Sequence, residues 1–190
     1  MKKIILAIIV IAEVFVACNN NATEKKNTDT NVATSTVPAA DISTKTASSV
    51  KEIVDDYLQM KNAFSKDNDK DAAAAGDAMV KAFANFNTSI LTSGQSKIYT
   101  DTQDDAKEHA EHIGSNGGNI KHQREHFDML SKDIYQLVKT FGGGQKLYYD
   151  HCPMYNNKKG AYWLSETKEI ANPYLGMAMP TCSTVKEELK

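Results

Sequence analysis

The stretch that decides the fold runs from Ile120 to Gly144 and reads IKHQREHFDMLSKDIYQLVKTFGGG. Phe127, Leu130, Ile134, Leu137, Val138 and Phe141 recur at intervals of three and four, the apolar stripe of an amphipathic helix. The run Gly142-Gly143-Gly144 ends that helix, since glycine has little helix propensity and readily adopts the left-handed stop conformation. Working backwards, Ser115 to Asn119 is a glycine-bearing loop. Before it, Ala106, His109, Ala110 and Ile113 mark the inner face of a helix predicted from about Asp101 to Gly114. A further helix is predicted from a cap at Asn68 or Asp69, with Ala72, Gly76, Met79, Val80, Phe83 and Ile90 along its stripe. Thr92-Ser93-Gly94 reads as its stop. A first helix is predicted from Ala47 through Val50, Ile53, Val54, Tyr57, Leu58 and Phe64. Four helices with short connections predict a mainly α fold, an up-down-up-down four-helix bundle. Beyond the glycines, Lys146 to Asp150 and Ala161 to Leu164 predict short β-strands in an otherwise irregular C-terminal segment laid against the bundle.

The first residues read MKKIILAIIVIAEVFVAC. Two lysines followed by a short apolar run predict a secretory signal peptide over residues 1–17, too short for a comfortable membrane span. Val16-Ala17-Cys18 resembles the end of a bacterial lipobox, which makes Cys18 the expected lipidation site. Phe15 and Glu13 depart from that pattern, and secretion with a different cut is the alternative. Residues 18–46 are rich in Asn, Thr, Ser and Ala and predict a disordered linker, leaving 47–190 as the folded domain. The expected location is the periplasm or cell envelope, with the domain tethered to a membrane by lipid. Lys and Arg total 22 against 24 Asp and Glu, a formal net charge of -2, so no basic field points to nucleic acid.

Most of the donor chemistry lies between Tyr148 and Cys182. His151, Cys152 and Met154 stand at one end, Met177, Met179 and Cys182 at the other. Asn156 to Gly160 and Asn172-Pro173 allow the chain to double back between them. Thiols, thioethers and imidazole are donors that suit a soft ion, above all Cu(I), with silver or zinc as alternatives. The same residues also read as plain core, or as a disulfide between Cys152 and Cys182 in an oxidising compartment.

The phrases HCPMYNNKKGAYWLS, residues 151–165, and KEIANPYLGMAMPTC, residues 168–182, resemble the family catalogued as domain of unknown function 3347. That resemblance extends over roughly Val50 to the C-terminus. The family occurs as small secreted proteins or lipoproteins, and appended to periplasmic adaptor subunits of heavy-metal efflux pumps that export copper and silver. The resemblance implies a copper-handling role, with Cys152, Met154, Met177, Met179 and Cys182 at likely ligand positions. It also matches His112 and His126 to recurring helical histidines, and leaves His151 without a family counterpart. An adaptor subunit of such a pump is the partner it implies.

His109 and His112 are three apart, and His122 and His126 four apart, so each pair shares a helix face. The short loop between their helices puts His112 and His122 near one end of the bundle. An imidazole site for Cu(II) or Zn(II) is geometrically allowed there. The alternative is solvated or packed histidines. His122 to His126 also fits H-x-x-E-H, a zinc-hydrolase pattern that further needs a downstream third ligand and a substrate cleft, for which a small bundle leaves little room. The helices carry no Glu-x-x-His, which argues against a di-iron bundle. No Walker loop or dinucleotide fingerprint is present. The sequence therefore favours a non-enzymatic protein that binds copper and buffers it or delivers it to efflux. A disulfide-stapled interaction domain is the alternative, and a zinc hydrolase stands behind both.

Overall fold

The computed structural model describes residues 39–190. The expected signal peptide over 1–17, Cys18, and the linker up to residue 38 lie outside the described residues. The expected bundle is present: α1 is Ala39–Ser65, α2 Asp69–Asn85, α3 Ser93–Ser115 and α4 Ile120–Phe141. Each helix packs on the next, and α4 closes back on α1. The core they enclose includes Ile53, Tyr57, Met79, Ile113, Phe127 and Ile134, all buried.

Two boundaries differ from expectation. The linker ends earlier than residue 46, because α1 already begins at Ala39; the Ala39-Ala40 pair favours helix. Thr92-Ser93-Gly94 starts a helix instead of stopping one. The Thr92 hydroxyl accepts from Gln95 N–H while the Gln95 side chain accepts from the Thr92 backbone, a complete capping box. That pattern is the S/T-x-x-Q signature of a helix N-terminus. α2 leaves helical geometry at Phe86, and Asn87 caps a short 3-10 turn over Thr88–Ile90.

The helices α2 and α3 approach closely where Gly76 meets the end of α3. A Cβ at Gly76 would stand 2.7 Å from the Ala110 carbonyl oxygen and 2.9 Å from Gly114 N. The small-residue run before Gly76 permits this contact, which fixes where the last turns of α3 sit.

The C-terminal segment forms a three-stranded antiparallel sheet in the order β2-β1-β3. β1 is Leu147–Cys152, β2 Ala161–Ser165 and β3 Thr184–Leu189. β1 and β2 correspond to the two expected strands; β3 was not anticipated. Its burial alternates weakly, with Leu189 alone buried, so it carries almost no apolar signal. The Asn-rich turn after Met154 takes left-handed dihedrals at Asn156, Asn157 and Lys158. Asn tolerates that region better than most residues. The sheet is tied to the bundle by polar contacts. Tyr57 of α1 accepts from Leu164 N–H at 3.1 Å and shares a 2.8 Å hydrogen bond with Ser131 of α4. The Tyr174 hydroxyl donates to the Tyr162 carbonyl at 2.6 Å.

Candidate metal centres

Two donor groups emerge, at different places in the fold. The first joins the two ends of the C-terminal segment. Cys152 closes β1, and Cys182 precedes β3, which pairs alongside β1. The strand pairing therefore brings together two residues that are 30 apart in sequence, and their sulfurs lie 3.3 Å from each other. Both cysteines are free, Cys152 buried and Cys182 half-buried. The Cys152 sulfur beside it is the main cause pushing the Cys182 thiol up, opposed by a backbone hydrogen bond from Met154.

Asn172 holds this arrangement. It is buried; its side-chain oxygen accepts from Tyr174 and Leu175 N–H, and its amide donates to the Cys182 carbonyl at 2.8 Å. The residue's importance was not read from the sequence, although Asn before Pro signals a turn in which the side chain bonds its own backbone.

The expected partners are placed unevenly. Met154 and Met179 flank Cys182 through main-chain bonds, since Cys182 N–H donates to the Met179 carbonyl at 3.3 Å. Met177 is held elsewhere, its N–H donating to Asp67 at 3.0 Å. All three thioether side chains are exposed, Met177 by 66%. His151 falls on the opposite face of β1 from Cys152, because successive strand residues point to opposite sides. Its ring packs on Tyr162, with centroids 4.2 Å apart. Strand periodicity thus separates the His151 ring from the Cys152 sulfur.

The second group is built from four of the chain's five histidines. α3 and α4 are joined by a short loop, so the last turns of α3 face the first turns of α4. His112, His122 and His126 offer nitrogens that all lie within 4.8 Å of one another. Among the described residues, no other group of three or more His, Cys, Asp or Glu is so disposed. His112 stacks on His126 with centroids 4.3 Å apart, and His126 meets His122 at 4.7 Å. His109 stands behind the trio, with its Nδ1 3.2 Å from His126 Nδ1.

Carboxylates flank the ring edges. Glu108 lies 3.9 Å from His112 Nε2, and Glu125 lies 3.8 Å from His122 Nδ1. Burial, with His112, His109 and His122 as neighbours, pushes His126 down to about 4. Burial is also the main cause lowering His109. These two rings are thus neutral at neutral pH, the form that binds a metal. A groove of about 280 Å³ lined by Glu108, Glu111, His112, Ser115 and Asn116 opens beside the trio. Beside the two histidines of the H-x-x-E-H pattern the fold places a third from upstream, His112. The motif's Glu125 stands 3.8 Å from the His122 ring and also lines a separate groove of about 610 Å³ with Asp128, Met129 and Tyr155.

No curated protein and no solved structure matches the chain. A family model described as Protein of unknown function (DUF3347) matches residues 53–146. The match takes in the four clustered histidines and stops before β1, so it does not reach Cys152 or Cys182. The match covers just under half of the chain and is a likeness of its helical part.

Proposed function

We propose that this chain is a metal-binding protein of the cell envelope that captures Cu(I) between Cys152 and Cys182. It would buffer that ion or hand it to a heavy-metal efflux adaptor, and would carry out no catalysis. The observation that supports the reading is the 3.3 Å separation of two free thiols from opposite ends of the C-terminal segment. Thiolates bound tetrahedrally at about 2.3 Å from one ion stand roughly 3.8 Å apart. The pair therefore needs only a small outward movement to grip a metal. Met154 and Met179, exposed beside Cys182, are the thioethers best placed to complete the shell. Met177 would join only by a side-chain swing from its anchor at Asp67. Soft sulfur donors select Cu(I) or Ag(I) over hard cations.

The same separation also favours a second reading, in which the two sulfurs close into a disulfide that pins β3 beside β1. Thiol counting on the natively purified protein separates the two, with two free thiols expected for the first. Titration with Cu(I) against a competing chelator then tests capture. Cys152→Ser should weaken binding by at least 100-fold. Unchanged Cu(I) affinity in that variant would overturn the proposal.

A further inference from the structure

We infer that His112, His122 and His126 form a second metal site, separate from the thiols, for a divalent borderline ion such as Zn(II) or Cu(II), and that His109 positions His126 within it. Three observations converge. The trio's nitrogens already lie within 4.8 Å of one another across two helices. Zinc–nitrogen bonds of about 2.0–2.1 Å require them to draw in further. The stacked ring of His112 must turn away from His126 to present its nitrogen.

The donor set decides the class of ion. Imidazole suits Zn, Cu and Ni, whereas no thiol belongs to this group. Glu108 and Glu125, within 4 Å of the outer rings, supply negative charge for a divalent ion. Each is placed to accept from a ligand's second ring nitrogen or to swing in as a fourth ligand. The open groove beside His112 leaves room for water.

His109 has a distinct role. Its Nδ1 contacts His126 Nδ1, so one ring must donate and the other accept. With His126 as the donor, its Nε2 lone pair is free for the ion. A ligand histidine held through its other nitrogen is the usual arrangement, and removing such a partner costs about 10–100-fold in affinity. His109 is therefore a positioning residue.

The test is Zn(II) titration against a chromophoric chelator, with Co(II) absorption as a spectroscopic readout, on the full chain. Cys152→Ser/Cys182→Ser should bind one equivalent with nitrogen–oxygen ligation and no sulfur-to-cobalt charge-transfer band, and the wild type should show the same nitrogen–oxygen spectrum beside whatever its thiols add. His122→Ala, a partly exposed change that leaves the core intact, should weaken binding at least 100-fold. His109→Ala should weaken it 10–100-fold and alter the Co(II) spectrum while the circular dichroism stays unchanged. Wild-type affinity in His122→Ala, or Co(II) bound in the wild type only through sulfur, would overturn the assignment. Should the double cysteine variant not fold, the Co(II) spectrum of the wild type decides alone. Loss of Cu(I) capture in Cys152→Ser leaves this inference untouched, so failure of either site is told apart from failure of the other.

Discussion

Asp133 on α4 shows how a single side chain works against the fold. One carboxylate oxygen is buried without a partner. Burial, then the charge of Asp105, pushes its carboxyl up to about 6. A carboxyl raised in the folded state contributes fully below its unfolded value and loses that contribution as pH rises through 6. Asp133→Asn should therefore stabilise the protein at pH 7, by on the order of 1 kcal/mol once solvent screening is allowed for. That is about 2–4 °C in Tm for a chain of this size. The gain should shrink below pH 6 and be gone near pH 4, and thermal melts at the three values check it. The residue scale is also where the sequence was most and least readable. Spacings of three and four put His109 with His112 and His122 with His126 because helix geometry is local. His151 and Cys152 are adjacent in sequence, yet the strand turns them to opposite faces of the sheet. The pairing of Cys152 with Cys182 could be proposed from sequence. The 3.3 Å between their sulfurs could not, because it depends on β3.

At the scale of elements, stripes of large apolar residues gave the helices, and the weakly patterned pieces escaped. β3 exposes half of its side chains and fully buries only Leu189, and the capping box at Thr92 hid behind a cluster of residues that also makes turns. Gly76 shows propensity and packing in conflict. In an isolated helix, alanine would be favoured over glycine by roughly 1 kcal/mol. Here the added Cβ would meet the α3 backbone at 2.7 and 2.9 Å, and overpacking of that kind costs about 1–3 kcal/mol. Gly76→Ala should lower Tm, and should weaken Zn(II) binding too, because it displaces the turn carrying His112. Gly94→Ala is the control, since nothing lies within 4 Å of its would-be Cβ; its Tm should hold or rise. Asn172 ties two other pieces together. Asn172→Ala leaves two backbone N–H groups and the Cys182 carbonyl without their side-chain partner. Each such loss costs about 1–3 kcal/mol where no water replaces it. The expected result is a lower Tm with faster alkylation of Cys152, and an unchanged alkylation rate would show that Asn172 does not hold the thiol pair.

Across the whole molecule, proton linkage sets two groups of residues against each other. His126 is pushed down to about 4 by burial and by the charges that His112, His109 and His122 would carry, with Glu125 pulling the other way. A histidine depressed in the folded state contributes stability above its unfolded value near 6.5, and that contribution is lost as pH falls toward 4. Asp56, Asp133 and Asp150 are each pushed up to about 6, chiefly by burial, and their contribution grows as pH falls through that value. Between pH 7 and 5 the metal-free protein should therefore show a shallow stability profile in which the two effects offset. His126→Gln removes one histidine from that balance and leaves His109 and His151, which burial also lowers. In that variant Tm should rise relative to the wild type as pH drops from 7 to 5, since the carboxyls then meet less opposition. Zn(II) adds a third influence, because an ion bound only by the folded state stabilises it by mass action. Saturating Zn(II) should raise the Tm of the wild type at pH 7, lose that effect near pH 5 as protons compete for the imidazoles, and leave His126→Gln almost unmoved at both. A parallel pH profile for wild type and variant would show that the clustered imidazoles are not coupled to folding.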